Sequence, residues 1–252
     1  YQHNNLELWQ GDFFELKASD IAPVDIIYED DHLCLVNKSA NMVVHPGYGN
    51  YDGTLVNALL YHFDQLPELP NDYFGRPGLV HRLDKHTTGL MVVAKTENTL
   101  TNLAKQFFDR TTKRKYYALV WGDVAEDEGK VDLYLGRSLK NRKLMVGYPD
   151  KEHGKHAVTH YKVVEKLGYV TLIECKLETG RTHQIRVHLS FIGHPVIGDK
   201  LYGFKKSIFS KIIIYNFFII GVIMKKFVKR VNLFFLKEII SKNIIKITHH
   251  KK

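Results

Sequence analysis

Cysteine is nearly absent. Cys34 and Cys175 are the two in 252 residues, too few for a disulfide framework or a zinc site built on thiolates. Both stand in strand-like apolar surroundings and read as buried thiols of a reducing compartment, so a cytoplasmic location is expected. A membrane helix needs about 20 apolar residues. The run Ile212 to Met224 offers 13, interrupted by Asn216 and Gly221, so membrane contact through this segment is not expected. No charged-then-apolar leader follows Tyr1, which argues against a secretory signal, and the missing initiator Met reads as a fragment. Excess positive charge is also missing from most of the chain. The formal net charge is +9, but residues 204–252 hold 11 Lys and 1 Arg against 1 Glu, leaving 24 basic and 26 acidic residues in 1–203. Any nucleic-acid binding by the body must rest on where its cations sit.

What is present is enough chain for one large domain or a domain with appendages. Leu6 to Leu16 roughly alternates around Gly11-Asp12, the end of a small module or a lead-in hairpin. Ile26-Ile27-Tyr28 and Leu33 to Val36 flank an acidic turn and predict paired strands. Met42-Val43-Val44 runs into a His45-Pro46-Gly47 turn. From Thr54, residues Leu55, Ala58 and Leu59 recur at helical spacing. Leu100, Leu103, Ala104, Phe107 and Phe108 mark an amphipathic helix with its core on that face. The cations Arg110, Lys113, Arg114 and Lys115 precede a strand at Tyr116 to Trp121. A charge run is usually a solvated face, but here it abuts an aromatic pair and suggests a backbone-binding edge. Val131–Leu135, Lys143–Tyr148, Ala157–Val164 and Tyr169–Leu177 are further strands. Neighbouring runs of strands with few helices predict an α+β fold with a mostly antiparallel sheet.

The stretch Gly78 to Lys95 organises the rest. It places Asp84 between two apolar runs, the first the end of a strand and the second, Leu90 to Ala94, a strand buried on both faces. Arg82 stands two residues before Asp84, and Thr87-Thr88-Gly89 turns the chain after it. A carboxylate in such a connection loses hydration, a cost that a nearby cation offsets. Taken alone, Asp84 reads first as a side chain capping its own turn.

Gly180 to Pro195 reads as a helix with its flanking turns. Thr182 is the expected helix N-cap, Ile185, Leu189 and Ile192 the buried stripe, and Gly193 and Pro195 the stop. Arg186 lies at the polar edge of that stripe, able to reach a partner carboxylate. His183 and His188 are five apart, not the i, i+4 of helical zinc pairs. His153, His156 and His160 lack a carboxylate at a telling offset, so no metal site is expected.

His81-Arg82-Leu83-Asp84 with Thr87-Thr88-Gly89, Lys115-Tyr116-Tyr117-Ala118, and Gly180 to His188 together resemble the RluA family of pseudouridine synthases, closest to the RluD type acting on large-subunit ribosomal RNA. The likeness covers roughly residues 20–203. It implies the pseudouridine synthase fold, a central sheet with flanking helices, and a reaction without cofactor: the glycosidic bond of a uridine is broken, the uracil turned and rejoined through carbon 5. It also implies RNA as partner. By this resemblance Asp84 is the catalytic carboxylate, as nucleophile or as base, Arg186 pairs with it, and Tyr116 stacks on the base and helps remove the carbon 5 proton. Arg82 matches the residue that fills the space left by a flipped nucleotide. Lys115, Arg181 and His183 are implied phosphate or pocket contacts.

Ser39, Asn41 and Thr88 depart mildly from the family pattern, which has Pro, Gly and Ser there. The large departure begins at Phe204, where a Leu-His-Ala segment and a His-Pro turn are expected. Residues 204–252 instead hold 12 Ile, 11 Lys and 7 Phe, with no Pro, Ala or Asp. A misread AT-rich stretch fits this better than a membrane-surface anchor or a divergent core segment. The expected organisation is therefore a remnant of an N-terminal RNA-binding module at 1–20, a catalytic domain at 21–203 lacking its C-terminal part, and an aberrant tail at 204–252. A non-catalytic RNA-binding or ribosome-assembly protein on the same fold is the competing reading.

Overall fold

In the computed structural model, residues 24–47, 49–69 and 76–203 are described. The expected module at 1–20 and the tail at 204–252 lie outside them. The chain starts as a hairpin of β1 (Ile26–Glu29) and β2 (Leu33–Lys38). Asp30 closes it, its carboxylate accepting the N–H groups of His32 and Leu33 at 2.8 Å each. The β3 strand (Gly89–Ala94) pairs antiparallel with the other side of β2, from Leu33–Ala94 to Lys38–Gly89. As the middle strand, β2 is covered on both faces, which is why Leu33 to Val36 is continuously apolar. Helix α1 (Leu55–His62) starts at Thr54, whose hydroxyl and backbone are satisfied by Asn57 in a capping box. Its Leu55, Val56 and Leu59 join Cys34, Val36, Val44, Leu79, Leu83, Met91 and Val93 in the first core.

Helix α2 (Glu97–Phe108), capped by Thr96, buries Leu100 and Leu103 against Ala94. The apolar stripe does not run its whole length. Phe108 is 87% exposed, while Phe107 stacks on His81 with ring centroids 4.7 Å apart. The five-stranded sheet follows: β4 (Lys115–Trp121), β5 (Glu128–Arg137), β6 (Met145–Tyr148), β7 (Lys155–Lys166) and β8 (Val170–Leu177). It is ordered β4-β8-β7-β5-β6, antiparallel throughout. The α+β, antiparallel expectation holds, with strand pairing divided between two sheets among the described residues.

Helix α3 (Gln184–Phe191) lies on the five-stranded sheet. Leu189, with Ile185 and Ile192 partly buried, packs against Ala118, Val120, Ile173 and Cys175, and Val187 against Leu135, Met145 and Ala157. Thr182 is not its cap. His183 takes that position in a left-handed conformation (φ 56°) with no side-chain capping bond. Gln184 organises the turn instead, its side chain accepting from Arg181 N–H and Thr179 Oγ1 and donating to the Val158 carbonyl. Beyond the helix the chain lines the free edge of β4: Trp121 N–H donates to Pro195, and Ile197 N–H to Leu119. Both cysteines are buried free thiols, pushed up to about 12 by burial. No helix among the described residues is long and apolar enough to cross a membrane.

Candidate active site

Asp84 follows Leu83, which is anchored in the first core. The run before it is not a strand; Gly78 turns the chain at φ 70°, and Leu79 alone makes a bridge, to Val93. Nor does the Asp84 side chain cap its turn. The backbone carbonyl closes it, accepting Thr87 N–H at 3.0 Å. Beneath lies Lys38, 1% exposed, whose ammonium donates to the carbonyls of Ser39 (2.8 Å), Met42 (2.9 Å) and Lys85 (3.3 Å). Burial pulls the Lys38 pKa down to about 8, against the attraction of Asp84.

The carboxylate oxygen Oδ2 of Asp84 faces α3. Arg186 Nη1 donates to it at 3.3 Å across 102 residues of sequence, and His183 Nε2 lies at 4.0 Å. The left-handed backbone at His183 aims the imidazole here. Tyr202 Oη accepts Met145 N–H at 2.9 Å and lies 2.8 Å from His183 Nδ1. This contact fixes the ring plane and turns Nε2 toward Asp84. Burial lowers the His183 pKa; Asp84 opposes and Arg186 reinforces the shift.

Tyr116 lies on the inner face of β4, packed against both the first core and the α3 core. Burial raises its pKa, Arg114 opposes, and the charge of Asp84 adds. Strand alternation separates it from Lys115, which shares the other face with Tyr117; both reach Glu174, at 3.9 and 2.8 Å. The cation on the Tyr116 side is Arg114. Its Nε is buried with no hydrogen-bond partner among the described residues, and its Nη1 sits where a Cβ on Gly180 would come within 2.7 Å.

The structure therefore brings Asp84, Arg186, His183 and Tyr116 into one site. Arg82 is exposed and turns to His45, Nη1 to Nε2 3.4 Å. Arg181 Nε donates to the His156 carbonyl at 3.1 Å. Each histidine of the 153–160 trio has a carboxylate neighbour: His153 has Asp150, three residues before it, at 3.2 Å, while His156 and His160 have the sequence-distant Asp132 and Glu178 at 2.6 Å each. Asp132 comes from a neighbouring strand, and all three pairs are solvent-exposed. Asp150, Glu152 and His153 bring donor atoms within 4.8 Å of one another, again exposed.

Residues 32–191 match the family model described as RNA pseudouridylate synthase. The chain belongs to that family. It is 49% identical over 190 residues to an uncharacterized RNA pseudouridine synthase of Chlorobaculum parvum, covering 75% of this chain and 58% of that relative. It is 52% identical over 186 residues to ribosomal large subunit pseudouridine synthase D of Zymomonas mobilis, covering 73% and 57%. The chain thus spans little more than half the length of these curated relatives. Among solved structures, human RNA pseudouridylate synthase domain containing 1 superposes with a TM-score of 0.61 at 28% identity, covering 75% of this chain and 73% of that one.

Lys38, Asp199 and Tyr202 bear no mark in the sequence, whereas Arg114 is one of the cations of the expected backbone-binding edge. A lysine ending an apolar strand carries no signal of its own. Asp199 to Gly203 reads as an ordinary Asp-started turn, and its relation to Arg186 exists only in three dimensions.

Proposed function

We propose that this chain is a cofactor-free, cytoplasmic RNA pseudouridine synthase whose substrate is large-subunit ribosomal RNA. The reading is carried by the contact of Asp84 with Arg186 beside Tyr116. The reaction is an isomerisation: the N1–C1′ bond of a uridine breaks, a C5–C1′ bond forms, carbon 5 gives up a proton and N1 takes one. Asp84, held by a hydrogen bond from Arg186 Nη1, acts at the sugar as nucleophile or as base. Tyr116 stacks on the uracil, and its hydroxyl relays the carbon 5 proton, taking it on oxygen while passing its own to water; burial raises the Tyr116 pKa. His183 places its imidazole at the edge of the pocket, with Nε2 turned toward Asp84.

A uridine inside a duplex has to be flipped out, costing a few kcal/mol. Arg82, exposed two residues from Asp84, stacks in the space it leaves. Arg114 and Arg181 are the cations offered to the RNA backbone. Lys115, facing away and paired with Glu174, supports the strand rather than the pocket. The names of the relatives, together with the resemblance to the RluD type, point to ribosomal RNA as the substrate. Catalysis is assigned to residues 21–203, with 1–20 and 204–252 as appendages.

The test is incubation of the 252-residue chain with unmodified large-subunit RNA and mapping of pseudouridine, with Asp84→Asn as control. Product from the wild type and a loss of more than about a thousandfold in the variant, with RNA binding retained, is the expected result. Equal binding and no product from either would leave an RNA-binding assembly protein.

A further inference from the structure

Arg186 faces two carboxylates, and Asp84 is the weaker of them. Its Nε and Nη2 donate to Asp199 Oδ2 and Oδ1 at 2.6 and 2.9 Å, the paired geometry that matches a guanidinium to a carboxylate. Asp84 receives one longer bond, 3.3 Å, to Oδ2. The Asp199 side chain is 4% exposed against 22% for Asp84. Burial opposes charge on both members of the buried pair. Even so, the pKa of Arg186 is raised, by Asp199 ahead of Asp84, and that of Asp199 is lowered by Arg186 and by the N–H groups of Leu201 and Tyr202.

Asp199 is itself fixed by the chain around it. Ile197 is tied to Leu119 at the β4 edge, and Gly198 turns the backbone at φ 76°. Asp199 Oδ1 then accepts Leu201 and Tyr202 N–H at 2.9 and 3.1 Å, and the Tyr202 ring lies 4.9 Å from the guanidinium carbon of Arg186. Among the described residues, the side-chain contacts that hold Arg186, other than the one to Asp84, come from Asp199 and Tyr202.

We infer that Asp199 is a positioning residue: by holding the Nε–Nη2 edge of the Arg186 guanidinium, it restricts Arg186 to a single contact with Asp84. The inference rests on Asp84 being the reacting carboxylate. A freed guanidinium would close the same two-bond fork on Asp84 and engage both its oxygens. With Asp199 in place, Arg186 and His183 both face Oδ2, and Oδ1 has no hydrogen-bond partner among the described residues. Oδ1 is the oxygen left for the ribose. Asp199 thus lets Arg186 orient Asp84 through one oxygen and leaves the other available.

Asp199→Asn tests this cleanly, because Oδ1, which caps the turn, survives as the amide oxygen while an NH2 replaces Oδ2 opposite Arg186 Nε–H. In the full chain, kcat for pseudouridine formation is expected to fall about a hundredfold, with KM for RNA within about twofold. The Arg186 Nε–H NMR resonance is expected to shift and to exchange faster with water. In an Arg186→Lys background the same substitution is expected to add less than about twofold, since Asp199 acts through Arg186. Should Asp199→Asn fail to fold, Asp199→Ser keeps a capping hydroxyl and carries the same expectations. An equal loss of kcat in both backgrounds, or an unchanged Nε–H resonance, overturns the inference. If the wild type makes no pseudouridine, the proposed activity fails, and the resonance alone still judges whether Asp199 holds Arg186.

Discussion

The buried ammonium of Lys38 donates to the carbonyl of Lys85, the residue after Asp84, at 3.3 Å. This bond ties the end of β2 to the turn that presents the carboxylate. Lys38→Met fills the same space and leaves three carbonyls, of Ser39, Met42 and Lys85, without their donor. The expected cost is about 2 to 4 kcal/mol, read as a lower urea midpoint with an unchanged slope. A variant as stable as the wild type would show that the ammonium contributes nothing net.

Tyr116→Phe keeps the ring that packs against both cores and removes only the hydroxyl. RNA binding is expected to stay within about twofold, while release of tritium from carbon 5-labelled uridine slows by about 10² or more. Loss of binding with an unchanged release rate would assign Tyr116 to stacking alone.

Acid should destabilise the fold through His81 and His188, both driven by burial from 6.5 to about 4, with Arg114 adding to the shift at His81 and Asp132 opposing it at His188. His81 stacks on Phe107 at 4.7 Å and accepts Val92 N–H, and neither ring nitrogen of His188 has a partner among the described residues. Between pH 6.5 and 4 the unfolded chain binds more protons than the folded one, so stability falls as pH drops through that window. Urea midpoints at pH 7, 5.5 and 4.5 measure the slope. His188→Leu is expected to flatten it, and an unchanged slope would remove His188 from the account.

Gly78→Ala probes the path into the motif. Gly78 has φ 70°, and a Cβ there would meet the Ala94 carbonyl and Val93 Cγ1, each at 2.8 Å. Backbone strain and overlap together are expected to cost about 2 kcal/mol or more. Thermal melting of the variant checks it; an unshifted midpoint would mean that β3 yields without penalty.

Much of this architecture is legible in local sequence. Thr54, the alternation at Tyr116 and the continuous apolar run of β2 each announce their element, because capping, pleat and double-sided burial act over a few residues. The pairing of Asp84 with Arg186 was reachable only through the family resemblance of three motifs. What stayed hidden is of another kind. Thr182 looks like a cap, but Gln184 satisfies the turn by reaching β7, and Phe108 continues a helical stripe yet stays exposed. Lys115 looks like a pocket residue until the pleat sends it to Glu174. Asp199 lacks any local mark, since its partner is fixed only once Pro195–Ile197 has joined the β4 edge.

Asp84 hangs from the three-stranded sheet, while Arg186 and Asp199 belong to the helix and edge of the five-stranded one. Neither half contains a working centre. A small slip of one half against the other would silence the chemistry while every strand and helix stayed intact, so turnover should fade under mild denaturant before circular dichroism registers any change.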